Sequence, residues 1–160
     1  MWKNSQYGSI NPTRKELEKG FKSLPRSGTV KVDSKGAIYL DLENDWILRA
    51  LGAAGKYGYG IPRSLRGKGA HVKIVEDFEM EASVRTESVL RSLIGTKVDF
   101  EIICFYSALE ILYECEILDY VIKVQIKSDQ LSEIRETLTF QKTPPNGKFF
   151  YVVLAVKDAK

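Results

Sequence analysis

The sequence predicts a mixed α+β fold, and three observations point to it. Residues Tyr120 to Lys127 alternate, with Ile122, Val124 and Ile126 on one face and Lys123, Gln125 and Lys127 on the other, as in a strand with one wet face. Leu17, Phe21 and Leu24 recur three to four residues apart, the spacing of a single buried helix stripe. Two further runs, Gly69 to Val75 and Phe149 to Lys157, read as strands near the middle and the end of the chain.

The chain has 160 residues, one domain's worth, enough to bury a core without disulfide or metal staples. Residues 1 to 11 read as an irregular arm and 12 to 160 as the domain. Met1-Trp2-Lys3-Asn4-Ser5 has no apolar run behind its charge, and no later run is long enough to span a bilayer, so an intracellular protein without a membrane partner is expected. Two cysteines, Cys104 and Cys115, and one histidine make a zinc site unexpected, and no cofactor is expected either. The cysteines fall on two adjacent strand-like runs and could lie opposite each other; two reduced core thiols is the favoured reading and a disulfide the alternative. A net charge of +3 does not decide for or against nucleic acid.

Taken in order, Asn11 caps a helix with Pro12 at its first position, running to about Leu24 before Pro25 stops it. Thr29 to Val32 and Ala37 to Leu42 are short strands around the turn-like Asp33-Ser34-Lys35-Gly36, a hairpin or a strand entered by a loop. Asn44 or Asp45 starts a second helix, Trp46 to about Ala53, with Trp46, Ile47 and Ala50 or Leu51 inward and Gly52 and Gly55 ending it. Gly52 to Gly69 then holds six glycines, the bases Lys56, Arg63, Arg66 and Lys68, the aromatics Tyr57 and Tyr59, and no acid. Glycine lets backbone N–H groups approach an anion and the bases supply charge, so this loop is a candidate phosphate holder, against the plainer reading of a solvated surface loop.

The loop leads into Gly69-Ala70-His71-Val72-Lys73-Ile74-Val75, where alternation puts His71 and Lys73 on one strand face and Val72 and Ile74 on the other. Glu76, Asp77, Glu79 and Glu81 form an acidic patch, and Ser83 to Leu93 a helix. Asp99 to Tyr106, Glu110 to Ile117 and Tyr120 to Lys127 read as three strands of an antiparallel meander, with Glu114 and Glu116 flanking Cys115. Ser128 or Asp129 caps a last helix, Leu131 to Leu138, and Pro144-Pro145-Asn146-Gly147 turns the chain into the final strand. Each half thus ends in helix, loop and strand.

Ile38-Tyr39-Leu40-Asp41, Asp45-Trp46-Ile47, Gly69-Ala70-His71-Val72-Lys73-Ile74, Leu131-Ser132-Glu133-Ile134-Arg135 and Gly147 to Lys157 stand in the order and spacing of known motifs. Over residues 36 to 157 the chain resembles the 2H phosphoesterase superfamily, in its branch of RNA-repair "Swiss army knife"-like domains. The resemblance implies two lobes of antiparallel sheet backed by helices, with the strands of His71 and Tyr151 lining a cleft between them. In that family each of two strands carries a His and, two residues on, a Ser or Thr; the imidazoles act as base and acid on a cyclic or 2′–5′ phosphodiester and the hydroxyls hold the phosphate. Here His71 is kept, whereas Lys73, Tyr151 and Val153 replace the other three.

A positioned acid or base supplies roughly 10²- to 10⁴-fold, and a tyrosine of pKa about 10 is a poor base at neutral pH. The expectation is therefore a degenerate 2H-like domain, inactive as a phosphodiesterase. It would bind RNA or a nucleotide phosphate through His71, Lys73, Tyr151 and the loop residues Lys56, Tyr57, Tyr59, Arg63, Arg66 and Lys68. One alternative is an enzyme with a rearranged site of His71, Lys73 and Tyr151, in which Lys73 favours the neutral imidazole. The other is a protein-interaction scaffold that meets its partner through Phe149 to Val153, the acidic run, or the arm with Trp2 and Tyr7.

Overall fold

A computed structural model describes residues 14–62, 68–81, 87–112, 117–145 and 149–158. It is an α+β protein built on one curled antiparallel sheet of seven strands. The strands are β1 (Ser27–Val32), β2 (Ile38–Asp41), β3 (His71–Val75), β4 (Lys97–Asp99), β5 (Glu101–Leu112), β6 (Ile117–Lys127) and β7 (Phe150–Asp158), in the spatial order β4-β1-β2-β3-β7-β6-β5. The helices are α1 (Arg14–Phe21), α2 (Asp45–Ala54), α3 (Asp77–Glu81), α4 (Glu87–Leu93) and α5 (Asp129–Thr137). No helix among the described residues is long and apolar enough to cross a membrane. The expected arm, residues 1 to 11, lies outside the described residues.

The core follows the apolar spacing. Leu17 and Phe21 of α1, with Leu24 just beyond, and Trp46, Ile47, Ala50 and Ala54 of α2 are buried. Phe21 joins the layers, its ring 5.2 Å from Trp46 and 5.1 Å from Phe105 of β5. Each such aromatic contributes roughly 2 kcal/mol by leaving water. Opposite the helices stands the sheet face of Val30, Leu40, Val72, Val124 and Val152, all fully buried. Gly52 does not end α2: the helix runs through it to Ala54, and a single 3-10 turn, Gly55–Tyr57, closes on Gly58, whose φ of 91° suits glycine.

The β1–β2 hairpin turns where composition predicted. Asp33 Oδ1 accepts from the N–H groups of Lys35 and Ala37, and Gly36 takes φ 91°. At the other end, Ser128 caps α5 by accepting from Leu131 N–H, and its own hydroxyl donates to Asp99 O at 2.8 Å.

Three expectations are corrected. The three-stranded meander is a two-stranded hairpin: β5 and β6 pair from Glu101↔Lys127 to Leu112↔Ile117, so Glu110 to Ile117 is no separate strand. The cross-strand partner of Cys104 is Gln125, whose Oε1 lies 3.5 Å from its sulfur; Cys104 is a free thiol, and Cys115, Glu114 and Glu116 lie outside the described residues. Much of the acidic run lies on a short helix, α3, and the expected helix Ser83 to Leu93 is present as α4 over Glu87–Leu93, residues 82–86 lying outside the described residues. Finally, the two expected lobes are one sheet. β4-β1-β2-β3 and β7-β6-β5 join where β3 meets β7 through the single pairing Val72↔Val152.

Candidate functional site

Cross-strand register assembles the site. β3 and β7 are antiparallel with Val72 opposite Val152, which, extended one residue each way, sets His71 opposite Val153 and Lys73 opposite Tyr151. On the other side of β3, Asp41 pairs with His71 and Tyr39 with Lys73; beyond β7, Lys123 pairs with Val153 and Gln125 with Tyr151. Two rows therefore cross the sheet on the face away from Val72 and Val152. One runs Asp41, His71, Val153, Lys123, and the other Tyr39, Lys73, Tyr151, Gln125.

His71 is 9% exposed, while Lys73, two residues on, has half its side chain in water. The Nδ1 of His71 lies 2.9 Å from Gly69 O. A carbonyl only accepts, so Nδ1 carries the proton and donates, and in the neutral ring Nε2 keeps the lone pair. The Tyr39 ring meets the imidazole edge-on at 5.7 Å. Burial pushes the His71 pKa down, and Lys68 and Lys73 add to this, against the opposing pull of the Gly69 hydrogen bond and Asp41. The imidazole is thereby held neutral at pH 7, as expected from Lys73, although burial is the larger cause.

Gly69 sets this geometry. Its φ is +69°, and a Cβ there would run into Asn44 Oδ1, which accepts from Ala70 N–H at 3.4 Å. Asn44 is the N-cap of α2, yet its side chain serves Ala70 instead of the helix. Gly69→Ala is expected to destabilise the fold by about 1–3 kcal/mol and to turn His71 off its carbonyl acceptor. Chemical denaturation with NMR titration of the single imidazole checks this; an unmoved midpoint and unmoved titration would refute it.

The remaining candidates divide. Lys73 Nζ lies 3.6 Å from Glu76 Oε1. Lys68 pairs with Asp33 at 2.7 Å and covers the Tyr39 ring at 4.9 Å, so it borders the end of the Tyr39–Lys73 row. Tyr151 is half-buried, with Lys123 Nζ 4.2 Å from its ring centroid. Lys56 and Tyr57 turn to α1: Lys56 Nζ is 3.2 Å from Glu16 Oε2, and the Tyr57 hydroxyl donates to Glu16 Oε1 at 3.1 Å. Tyr59 is 5% exposed, and burial, with a contribution from Tyr120, pushes its phenol up to about 12. It is a core residue beside β7, tied there by the Gly60↔Val156 bridge, and offers no open ring face for stacking. Arg63 and Arg66 lie outside the described residues.

Sequence reasoning missed Tyr39, Asp41 and Lys123 as neighbours of His71. The signal for the first two was present, since alternation in Ile38-Tyr39-Leu40-Asp41 puts both on one face. Lys123, expected on a solvated face, is 8% exposed. Among the described residues, no three His, Cys, Asp or Glu side chains are grouped to hold a metal ion. No protein-family model, curated protein or solved structure matches the chain.

Proposed function

We propose that the β3–β7 face binds the phosphate of an RNA or nucleotide without cleaving it, as a degenerate form of the 2H phosphoesterase arrangement. The observation that carries this reading is the register that sets His71 and Lys73 against Val153 and Tyr151 on one face. Transfer at phosphorus needs a base and an acid. The Nε2 lone pair of His71 is a base, but a phenol is a far weaker acid than an imidazolium, and Val153 offers no hydrogen bond to an oxyanion. Binding needs less: cations for the phosphate and ring faces for the base, and Lys73, Tyr39 and Tyr151 stand on adjacent strands of this face.

The experiment is hydrolysis and titration of uridine 2′,3′-cyclic phosphate and a short 2′–5′-linked oligoadenylate, with His71→Ala alongside. The expected result is no turnover, with saturable binding that weakens about 5-fold in the variant, the loss of one hydrogen bond. Turnover that vanishes with His71→Ala would overturn the binding-only reading in favour of the rearranged enzyme, which the neutral imidazole supports. Neither turnover nor binding would leave the protein scaffold.

A further inference from the structure

We infer that His71 takes a sugar hydroxyl of the bound nucleotide, the one next to the phosphate-bearing carbon, and that the phosphate itself belongs to Lys73. The inference rests on the reading of the β3–β7 face as a nucleotide site and names which part of the ligand each side chain meets.

The first support is the direction in which the imidazole can bond. Its Nδ1 is spent on Gly69 O at 2.9 Å, so Nδ1 holds the proton and the Nε2 of the neutral ring has only a lone pair to offer. An ionised phosphate oxygen also only accepts, and two acceptors do not bond. A hydroxyl donates, and so it suits Nε2 where the phosphate does not. Asp41, the neighbour in the same row, would favour a second proton on the ring, but its carboxylate is held by Lys31 at 2.6 Å. Among the described residues nothing donates to Nε2; apart from Gly69, the imidazole meets the ring of Tyr39, edge-on at 5.7 Å. With the residue 9% exposed, the lone pair is an acceptor largely withdrawn from water, a cost that a donor from the ligand removes.

The second support is the spacing along β3. Lys73 stands two residues from His71 on the same face, about 7 Å along the strand, and one nucleotide covers both positions, its sugar over the first and its phosphate over the second. Lys73 has half its side chain in water, and its Nζ lies 3.6 Å from Glu76 Oε1, beyond hydrogen-bonding distance. An exposed pair of this kind contributes little, so a phosphate oxygen in direct contact takes the ammonium from it. Of the two probes above, the oligoadenylate carries a free 3′-hydroxyl beside each phosphate, whereas both of the corresponding oxygens of the cyclic phosphate are esterified. The loss on His71→Ala therefore falls on the oligoadenylate.

The test is calorimetric titration of the full chain with adenosine 3′-monophosphate, 2′-deoxyadenosine 3′-monophosphate and adenosine, for the wild type, His71→Ala and Lys73→Met. The wild type is expected to bind the ribonucleotide about 5-fold more tightly than its deoxy form, the effect of one neutral hydrogen bond. His71→Ala is expected to bind the two alike. Lys73→Met is expected to lose roughly 10-fold in affinity for both nucleotides, as befits a charged hydrogen bond, with adenosine unchanged and the preference for ribose kept. Nitrogen NMR of the one imidazole in the chain reads the same contact without a substitution. With the wild type saturated by adenosine 3′-monophosphate at pH 7, Nε2 is expected to carry no proton. A ribose preference that survives in His71→Ala, a wild type with no such preference, or a protonated Nε2 in the complex overturns the assignment; the last two decide it where the variant does not fold. A wild type that binds none of the three compounds overturns the nucleotide reading of the face, and this assignment with it.

Discussion

Arg135→Ala is expected to be the most destabilising single substitution of a polar residue in this protein, costing about 3–5 kcal/mol, the range for breaking a buried ion pair. The guanidinium of Arg135 is 2% exposed and engaged through all three of its nitrogens. Its Nε donates to Gln141 O at 2.7 Å, and Nη1 to Ile74 O at 2.7 Å and Glu79 Oε1 at 3.1 Å. Nη2 donates to Glu79 Oε2 at 2.8 Å. One planar fork thus ties α5 to the end of β3, to α3 and to the segment after α5, and Phe140 stacks 5.4 Å from its central carbon. Alanine would leave the Glu79 carboxylate, 10% exposed, without its cation, and two carbonyls without their donor. Lysine would fare little better, because a point charge cannot serve four acceptors held in a fork geometry.

Urea denaturation gives the free-energy loss, and thermal denaturation should show a fall in melting temperature on the order of 10 °C for a chain of this size. A loss below about 1 kcal/mol would show that the network is not the tie between α5 and β3. Glu79→Gln added to Arg135→Ala should recover part of the loss, since it leaves a neutral group in place of a stranded charge. The pair also fixes a pH dependence. Burial pushes the Glu79 pKa up, but the Arg135 hydrogen bonds and charge, with the Glu76 N–H, hold it below its ordinary value. Its contribution is therefore complete above the unfolded carboxyl's pKa of about 4.3 and is lost as pH falls through the folded value.

Neither Glu79 nor Lys123 was legible as an important residue, and the reasons differ. Glu79 read as one acid of a run, and its partner stands 56 residues away. Arg135 stood out only within a motif; nothing in a one-dimensional pattern reports which carbonyls a guanidinium will reach. Lys123 was placed correctly on a strand whose alternate residues Ile122, Val124 and Ile126 are buried, but periodicity is blind to a bulge, and the register shift sets what Lys123 faces. The missed hairpin has a third cause. Between Leu112 and Ile117 stand Tyr113, Glu114, Cys115 and Glu116, without Gly, Pro, Asn or Asp to mark a turn, so one strand was read across the end of β5 and the start of β6. Where turn chemistry was explicit, as at Asp33 to Gly36, the hairpin was placed correctly, and so were the faces of β3.

If the β3–β7 face is a degenerate 2H-like phosphate site, as proposed above, restoring the family's residues should give it catalysis. The variant carrying Lys73→Thr, Tyr151→His and Val153→Thr is expected to hydrolyse uridine 2′,3′-cyclic phosphate at least about 10²-fold faster than the wild type, the lower end of what one positioned acid or base supplies. The expectation rests on register: positions 71 and 153 face each other, as do 73 and 151, so each imidazole would have a hydroxyl across from it on the neighbouring strand. His71 is already fixed by Gly69 as the Nδ1–H form with Nε2 basic. An imidazole at position 151 would supply the acid, and Lys123, 4.2 Å from the present ring, would lower its pKa by like-charge repulsion. The acid must be protonated, so the rate should peak on the acid side of neutrality and fall as pH rises. Adding Lys123→Gln should then move the peak upward. Steady-state rates across pH, with each single substitution as a control, decide the matter. A folded triple variant with no turnover would mean that the two strands do not present one phosphodiester to both positions, and the 2H-like reading of this face would fall with it.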